Sequence, residues 1–230
     1  MSLKLKVSWK LILKWVVIAT IGLLILIFFV RVATFEDAYY REKEGSERDV
    51  IVEEVAVSEE LIEVVPTEEE KDEYVVAVDR PRYLTITKIG IEKARIIPVG
   101  VKSSGELSTP NNIFDVGWYE SSGKPGQGKT MLIDGHNGGP HVHGVFKDLP
   151  DLVVGDVIIV ERGDGEIFRY SVVENIAVPL TESDMYMATA LRTPVPGEES
   201  LTLITCTGEW SQQQSTFLSR QFTRAVLIDI

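Results

Sequence analysis

Hydrophobic and polar positions divide the chain into three stretches of different character. From Leu11 to Val30 apolar residues run almost unbroken, and Trp15–Val30 carries no charge. That length matches the roughly 20 residues that cross a bilayer as a helix. From Glu36 to Asp79 the chain is rich in Glu and Val and lacks Trp and Phe, which is too little apolar material to enclose a core. From Arg80 onward, short β-branched runs alternate with turn formers. These predict strands at Tyr83–Ile89, Ala94–Val99, Lys129–Asp134, Asp156–Arg162, Ile167–Asn175, Leu201–Cys206 and Arg224–Ile230. Gly163-Asp164-Gly165 between two of them predicts a hairpin. A short turn near Gly144–Leu149 and a helix over Glu182–Leu191, capped by Thr181 or Ser183, complete the reading. Many short strands with few helices imply a mainly β, closed or nearly closed barrel.

Charge gives the first stretch an orientation. Lys4, Lys6, Lys10 and Lys14 precede or enter the apolar run, whereas one arginine, Arg31, and then a long acidic segment follow it. The positive-inside rule places residues 1–10 in the cytoplasm, residues 11–30 in the membrane and the rest outside. A cleaved signal peptide would have a shorter apolar region ending in a small-residue site. Arg31-Val32-Ala33-Thr34-Phe35 makes a poor one, so an uncleaved single-pass anchor is the expectation.

The net charge of −12 is concentrated between Glu36 and Glu73, where sixteen Asp and Glu stand against four Lys and Arg. Residues 31–79 therefore read as an acidic extracytoplasmic linker, extended by its own repulsion. Residues 80–230 read as the globular domain. They are only mildly acidic, and nothing recommends nucleic acid as a partner.

Chemistry concentrates on few residues. The one cysteine, Cys206, rules out an internal disulfide and a multi-cysteine zinc site. Alternation puts Leu201, Leu203 and Thr205 on one strand face and Thr202, Ile204 and Cys206 on the other, with Cys206 the last residue before a polar loop. A thiol attacks as thiolate and needs a base or positive charge nearby. His136 follows a predicted strand and precedes a glycine-rich segment, so it can project from a barrel rim. His141 and His143 lie beyond Pro140 in the same loop. They lack a third ligand at ordinary spacing, so no metal is assigned, and no cofactor is implied.

Thr202-Leu203-Ile204-Thr205-Cys206 resembles the TLxTC signature of sortases, and Gly135-His136 resembles their histidine motif. The flanking phrases keep the family's order: Val116-Gly117-Trp118-Tyr119, Pro125-Gly126, the histidine strand, Val145-Phe146, the cysteine strand and an arginine-led final strand. The likeness covers about residues 81–230. VGWY and PG look most like the class E/F branch. The resemblance implies a sortase-like closed barrel of about eight strands with one or two short helices. It also implies a cysteine transpeptidase that cleaves an LPxTG-like sorting signal through a Cys206 thioester and passes the acyl group to an amine.

In that reading Cys206 is the nucleophile, His136 the acid–base partner, and an arginine of the last strand the oxyanion donor. Arg220 and Arg224 both fit. They are four residues apart and share a face, about 13 Å from each other along a strand, so parity cannot choose. Arg224 directly leads the apolar run Ala225–Ile228 and is assigned as catalytic. Thr205, Arg220 and Trp210 are assigned to substrate binding, with the loop Thr207–Ser219 lining the groove. Partners implied are secreted proteins carrying a C-terminal sorting signal, and a peptidoglycan precursor or pilin lysine as acceptor. The absence of an Asp-Pro-aromatic lid motif favours protein anchoring over pilus assembly. Two rival readings are an L,D-transpeptidase-like cysteine enzyme, whose histidine usually lies close before the cysteine, and a non-catalytic anchored interaction module.

Overall fold

The alternating runs close into a barrel because each carries one apolar face. The computed structural model describes residues 61–230 apart from 104, 140 and 230. The expected cytoplasmic N-terminus, membrane helix and most of the acidic linker lie outside the described residues. Among the described residues no helix is long and apolar enough to cross a membrane.

Eight strands form the barrel: β1 Pro81–Ile86, β2 Ile91–Val99, β3 Val116–Tyr119, β4 Thr130–Gly135, β5 Val157–Arg162, β6 Ile167–Pro179, β7 Ser200–Ser211 and β8 Thr216–Asp229. Their order around it is β1-β2-β3-β4-β7-β8-β6-β5, with β5 returning to β1. Only β2–β3 and β4–β7 pair parallel. Among the described residues two helices accompany the strands, α1 Glu68–Asp72 and α2 Leu180–Ala190, with single 3-10 turns at Thr87–Ile89 and Leu149–Asp151. The predicted β5–β6 hairpin turns at Gly163–Gly165, where Gly165 takes φ 88, a left-handed conformation that suits glycine.

Two apolar clusters divide the two faces of the sheet. Inside the barrel, Met131 and Ile133 of β4 and Leu201 and Leu203 of β7 pack with Trp118, Phe146, Phe168 and Tyr170. Outside it, Leu132, Ile204, Phe222 and Val178 pack beneath Ala190 of α2. This is why β4 is buried at every position. Helix α2 starts two residues earlier than expected. Its N-cap is Pro179, with no side-chain cap, while the Ser183 hydroxyl donates instead to the Leu180 carbonyl at 2.8 Å. The chain passes from β6 into the helix through Pro179, whose restricted φ suits a helix start.

Three further differences matter for the site. Strand β3, which contains the VGWY phrase, is an additional strand. Strands β7 and β8 run to Ser211 and back from Thr216, so the expected loop Thr207–Ser219 is largely a two-stranded ribbon. Finally, the stretch from residue 62 to 79, expected as the end of a solvated linker, is seated on the barrel. Ile62 N donates to Asn111 O at 2.9 Å, and Ile113 N donates to Ile62 O at 3.0 Å. Thr67 caps α1 in a reciprocal capping box with Glu70, and the Tyr74 hydroxyl donates to Ile96 O at 2.6 Å. Local charge concealed these anchors, because single residues such as Ile62 and Tyr74 dock without forming a periodic pattern.

Candidate active site

The outer face of the sheet is organised in rungs of paired residues, whose side chains share a face. Thr202 of β7 stands opposite Arg224 of β8, Ile204 opposite Phe222, and Cys206 opposite Arg220. On the other side, β4 accompanies β7 only as far as Asp134, which pairs with Ile204. Cys206 is thus not at the end of its strand, where the sequence placed it, but two residues beyond the last β7 position paired with β4. It is half-buried and free. Arg220 holds its guanidinium against the ribbon, donating from Nη1 to the carbonyls of Phe217 at 3.0 Å and Ser219 at 3.1 Å.

Burial pushes the Cys206 thiol above its ordinary range. The positive charge of Arg220 opposes that rise, and the carboxylate of Asp134 adds to it. His136 follows β4 directly and is half-buried. Burial holds its imidazole below the ordinary value, while the Pro110 carbonyl bonded to it favours the charged ring and Lys102 opposes it. At neutral pH the resting pair is therefore a thiol and a neutral imidazole. The His136 Nε2–Pro110 O separation is 2.9 Å. A carbonyl only accepts, so Nε2 carries the proton and Nδ1 keeps the basic lone pair.

Two hydrogen bonds join the histidine segment to the cysteine segment. The Thr205 hydroxyl donates to Gly135 O at 2.7 Å, and Asn137 Nδ2 donates to Cys206 O at 2.7 Å. The neighbours of His136 and Cys206 thus tie the end of β4 to β7 just beyond the last β4–β7 pair. Thr205 is buried on the face opposite the thiol, so its hydroxyl braces the backbone and is closed to a substrate. Its position beside Cys206 in sequence suggested otherwise, but alternation sends it inward.

Arg224 is not beside the thiol. It is 7% exposed and lies under the C-terminal end of α2. There it pairs with Glu174 at 2.8 Å and donates to the carbonyls of Arg192 at 2.8 Å and Thr189 at 3.3 Å. Cations are favoured at helix C-termini, and this one is committed there. The residue opposite Cys206 is Arg220, two rungs away. Trp210 also departs from expectation. The register shift between Thr207 and Trp210, at Gly208 with φ 82, puts one extra residue into β7. Trp210 therefore stands across from Phe217, ring centroids 5.2 Å apart, on the ribbon face opposite Arg220. It remains 50% exposed.

His141 is held through its backbone, N to Glu63 Oε1 at 3.0 Å. His143 bridges to Gly138. Among the described residues no group of three or more His, Cys, Asp and Glu is placed to hold a metal. Two cavities among the described residues, of about 520 and 400 Å³, lie beside the N-terminal segment, lined by residues such as Ile62, Arg95 and Asp115 in one and Lys71, His143 and Lys147 in the other. Neither includes Cys206.

Residues 84–227, well over half the chain, match the sortase domain family. The chain belongs to the sortase family. Sortases are cysteine transpeptidases, and the chain is an enzyme of that class. No curated protein matches it. Among solved structures it is similar to the sortase D5 transpeptidase of Clostridium perfringens, at 25% identity over 71% of this chain and 90% of that one, with TM-score 0.46. Sortase C-1 from Actinomyces oris aligns at 24% identity over 67% and 76% of the two chains, TM-score 0.47. Sortase C of Streptococcus pneumoniae aligns at 19% identity over 74% and 76%, TM-score 0.48.

Within this sortase the sequence reading omitted two residues that the structure brings to the site. Asn137 could have been suspected from its place beside His136, since an amide there can reach a neighbouring backbone. Asp134 lies one rung before His136, where strand alternation puts it on the same face. The Glu174–Arg224 pair had no signal in sequence, because its partners are fifty residues apart.

Proposed function

We propose that this sortase cleaves an LPxTG-like sorting signal and transfers the acyl fragment to an amine, with Cys206, His136 and Arg220 as its reacting groups. The observation that carries the assignment is the cross-strand pairing of Cys206 with Arg220. It gives the thiol a cation that can reach a developing oxyanion, while Arg224 is occupied elsewhere.

The reaction begins with transfer of the Cys206 proton to His136. The thiolate attacks the scissile carbonyl carbon, forming the C–S bond and a tetrahedral oxyanion that accepts from Arg220. Collapse breaks the C–N bond, and the imidazolium protonates the departing amine. The thioester is then attacked by an acceptor amine, whose proton passes to His136 as the thiolate leaves. Burial of both groups disfavours the charged pair in the resting state, so substrate binding must bring compensating interactions before chemistry starts.

The substrates are secreted proteins with a C-terminal sorting signal, and the acceptor is a peptidoglycan precursor or a pilin lysine. Protein anchoring is favoured over pilus assembly by the absence of an Asp-Pro-aromatic motif. The VGWY and PG phrases support a class E/F affiliation. The charge-free apolar run before residue 31 supports a single-pass membrane protein with its N-terminus in the cytoplasm and its barrel outside. The test is incubation of the full-length protein with LPxTG-type peptides and candidate amines, with products read by mass spectrometry. Ligated product is expected from the wild type and none from Cys206→Ala. Equal product from both would overturn the proposal.

A further inference from the structure

His136 is set between two walls. One is the chain at Pro110, whose carbonyl accepts from the ring Nε2. The other is the loop that His136 itself begins. There Phe146 N donates to His136 O at 2.9 Å, Gly144 N to Asn137 O at 2.8 Å and Gly139 N to Val142 O at 2.9 Å. The outgoing and returning arms are thus laddered together, so closely that a Cβ on Gly144 would run into His136 O. A shift of this loop is therefore passed to the backbone of His136. At the base of the loop the two walls meet directly, through Val145 N and Ile113 O at 2.9 Å. Farther out, residues 62–64 join them.

On the Pro110 side, Ile62 N donates to Asn111 O, Ile113 N to Ile62 O and Asn112 Nδ2 to Val64 O at 3.0 Å. These bonds fix the strap to the three residues that follow Pro110. On the loop side, Glu63 Oε1 accepts from His141 N at 3.0 Å, and a Cβ on Gly139 would run into that same oxygen. Apolar burial does not account for this seating, since Ile62 is 49% exposed and Val64 69%. Polar ties hold it, and a bond to an ionised carboxylate is stronger than one between neutral groups. We propose that Glu63 is a positioning residue for His136. It holds the loop wall against the Pro110 wall, so that the ring keeps its Nε2 bond and leaves Nδ1 as the base. Glu63 precedes the part of the chain that matches the family, residues 84–227, so the family pattern does not assign it.

The inference rests on the sortase reading above for its catalytic consequence, but its structural readout does not. The test compares Glu63→Ala, Glu63→Gln, Gly139→Ala and the double variant Glu63→Ala/Gly139→Ala in the full-length protein. Gly139→Ala displaces the carboxylate without altering Glu63, because the atoms nearest its added Cβ all belong to Glu63. The tautomer and titration of His136 are followed by NMR of ¹⁵N-labelled histidine, and kcat and KM are measured with peptide and amine. Burial holds the ring below its ordinary value, so a loosened wall should move its titration up and mix the tautomers. Glu63→Ala and Gly139→Ala are each expected to show this, with kcat falling about 10-fold, within the roughly 10²-fold that a 1 Å misplacement costs. KM should change by less than about twofold. Glu63→Gln keeps an acceptor oxygen and should retain the wild-type spectrum and most of kcat. The double variant should be no worse than Glu63→Ala, since both changes remove one contact. An unmoved His136 spectrum in Glu63→Ala overturns the proposal, as does a Glu63→Gln defect equal to that of Glu63→Ala, or additive losses in the double variant. If Glu63→Ala does not fold, the spectrum of Gly139→Ala decides. If the wild type performs no transpeptidation, the sortase-site reading fails while the His136 spectrum still decides the role of Glu63.

Discussion

Cys206 and Arg220 occupy opposite positions on the antiparallel β7–β8 ladder, while Arg224, two rungs further along, faces Thr202. Two arginines on one face of one strand thus have different work. Arg220→Ala is expected to lower kcat by about 10²–10³-fold, the usual loss when an oxyanion donor is removed, with little change in the unfolding midpoint.

Arg224→Ala should do the reverse. It strips Glu174 of its cation and leaves the carbonyls of Thr189 and Arg192 without their donor, at the point where α2 meets the sheet. A loss of about 1.5–3 kcal/mol is expected for hydrogen bonds to a charged group, read as a lower denaturant midpoint. The kcat of the folded fraction should stay near wild type.

Thr205→Val tests the brace between β7 and the end of β4. The substitution keeps volume but leaves the Gly135 carbonyl without its donor, at a cost of about 1–3 kcal/mol. Stability measured by urea titration should fall by that amount. Thr205→Ser, which keeps the hydroxyl, should recover most of it.

The pH dependence of stability tests the burial of Asp134. Its carboxyl is pushed up to about 7 from an ordinary 3.8, so between those values the folded chain holds a proton that the unfolded chain has released. The stabilisation from this group is complete below the unfolded value and is lost as pH rises through about 7. Asp134→Asn should therefore gain on the wild type as pH rises from 4 to 8, by an amount on the order of 1–3 kcal/mol. The advantage should shrink again toward pH 4.

Much of this could be read in the sequence, and what could not has a common cause. The strand runs, the β5–β6 hairpin and α2 follow from local pattern. The places of His136 just past β4 and of Cys206 on β7 also follow from local pattern, although β7 continues beyond Cys206. The choice between Arg220 and Arg224 does not, because residues four apart share a face. Only the register between β7 and β8 separates them, and that depends on a turn at residues 212–215 and the extra residue near Gly208. The same irregularity moves Trp210 to the other face of the ribbon. Thr205 was legible in retrospect, since alternation alone opposes it to Cys206. The seating of Ile62 and Glu63 against loops beside His136 joins positions far apart in sequence, in a stretch whose acidity resembles a spacer.

The most direct test of the account is intact-protein mass spectrometry of the full-length enzyme quenched in acid during turnover of a sorting peptide. An acyl adduct that hydroxylamine removes, located on Cys206 and slow to form in Arg220→Ala but not in folded Arg224→Ala, is the predicted result. An adduct that forms as fast in Arg220→Ala as in the wild type, or that forms on another residue, would contradict it.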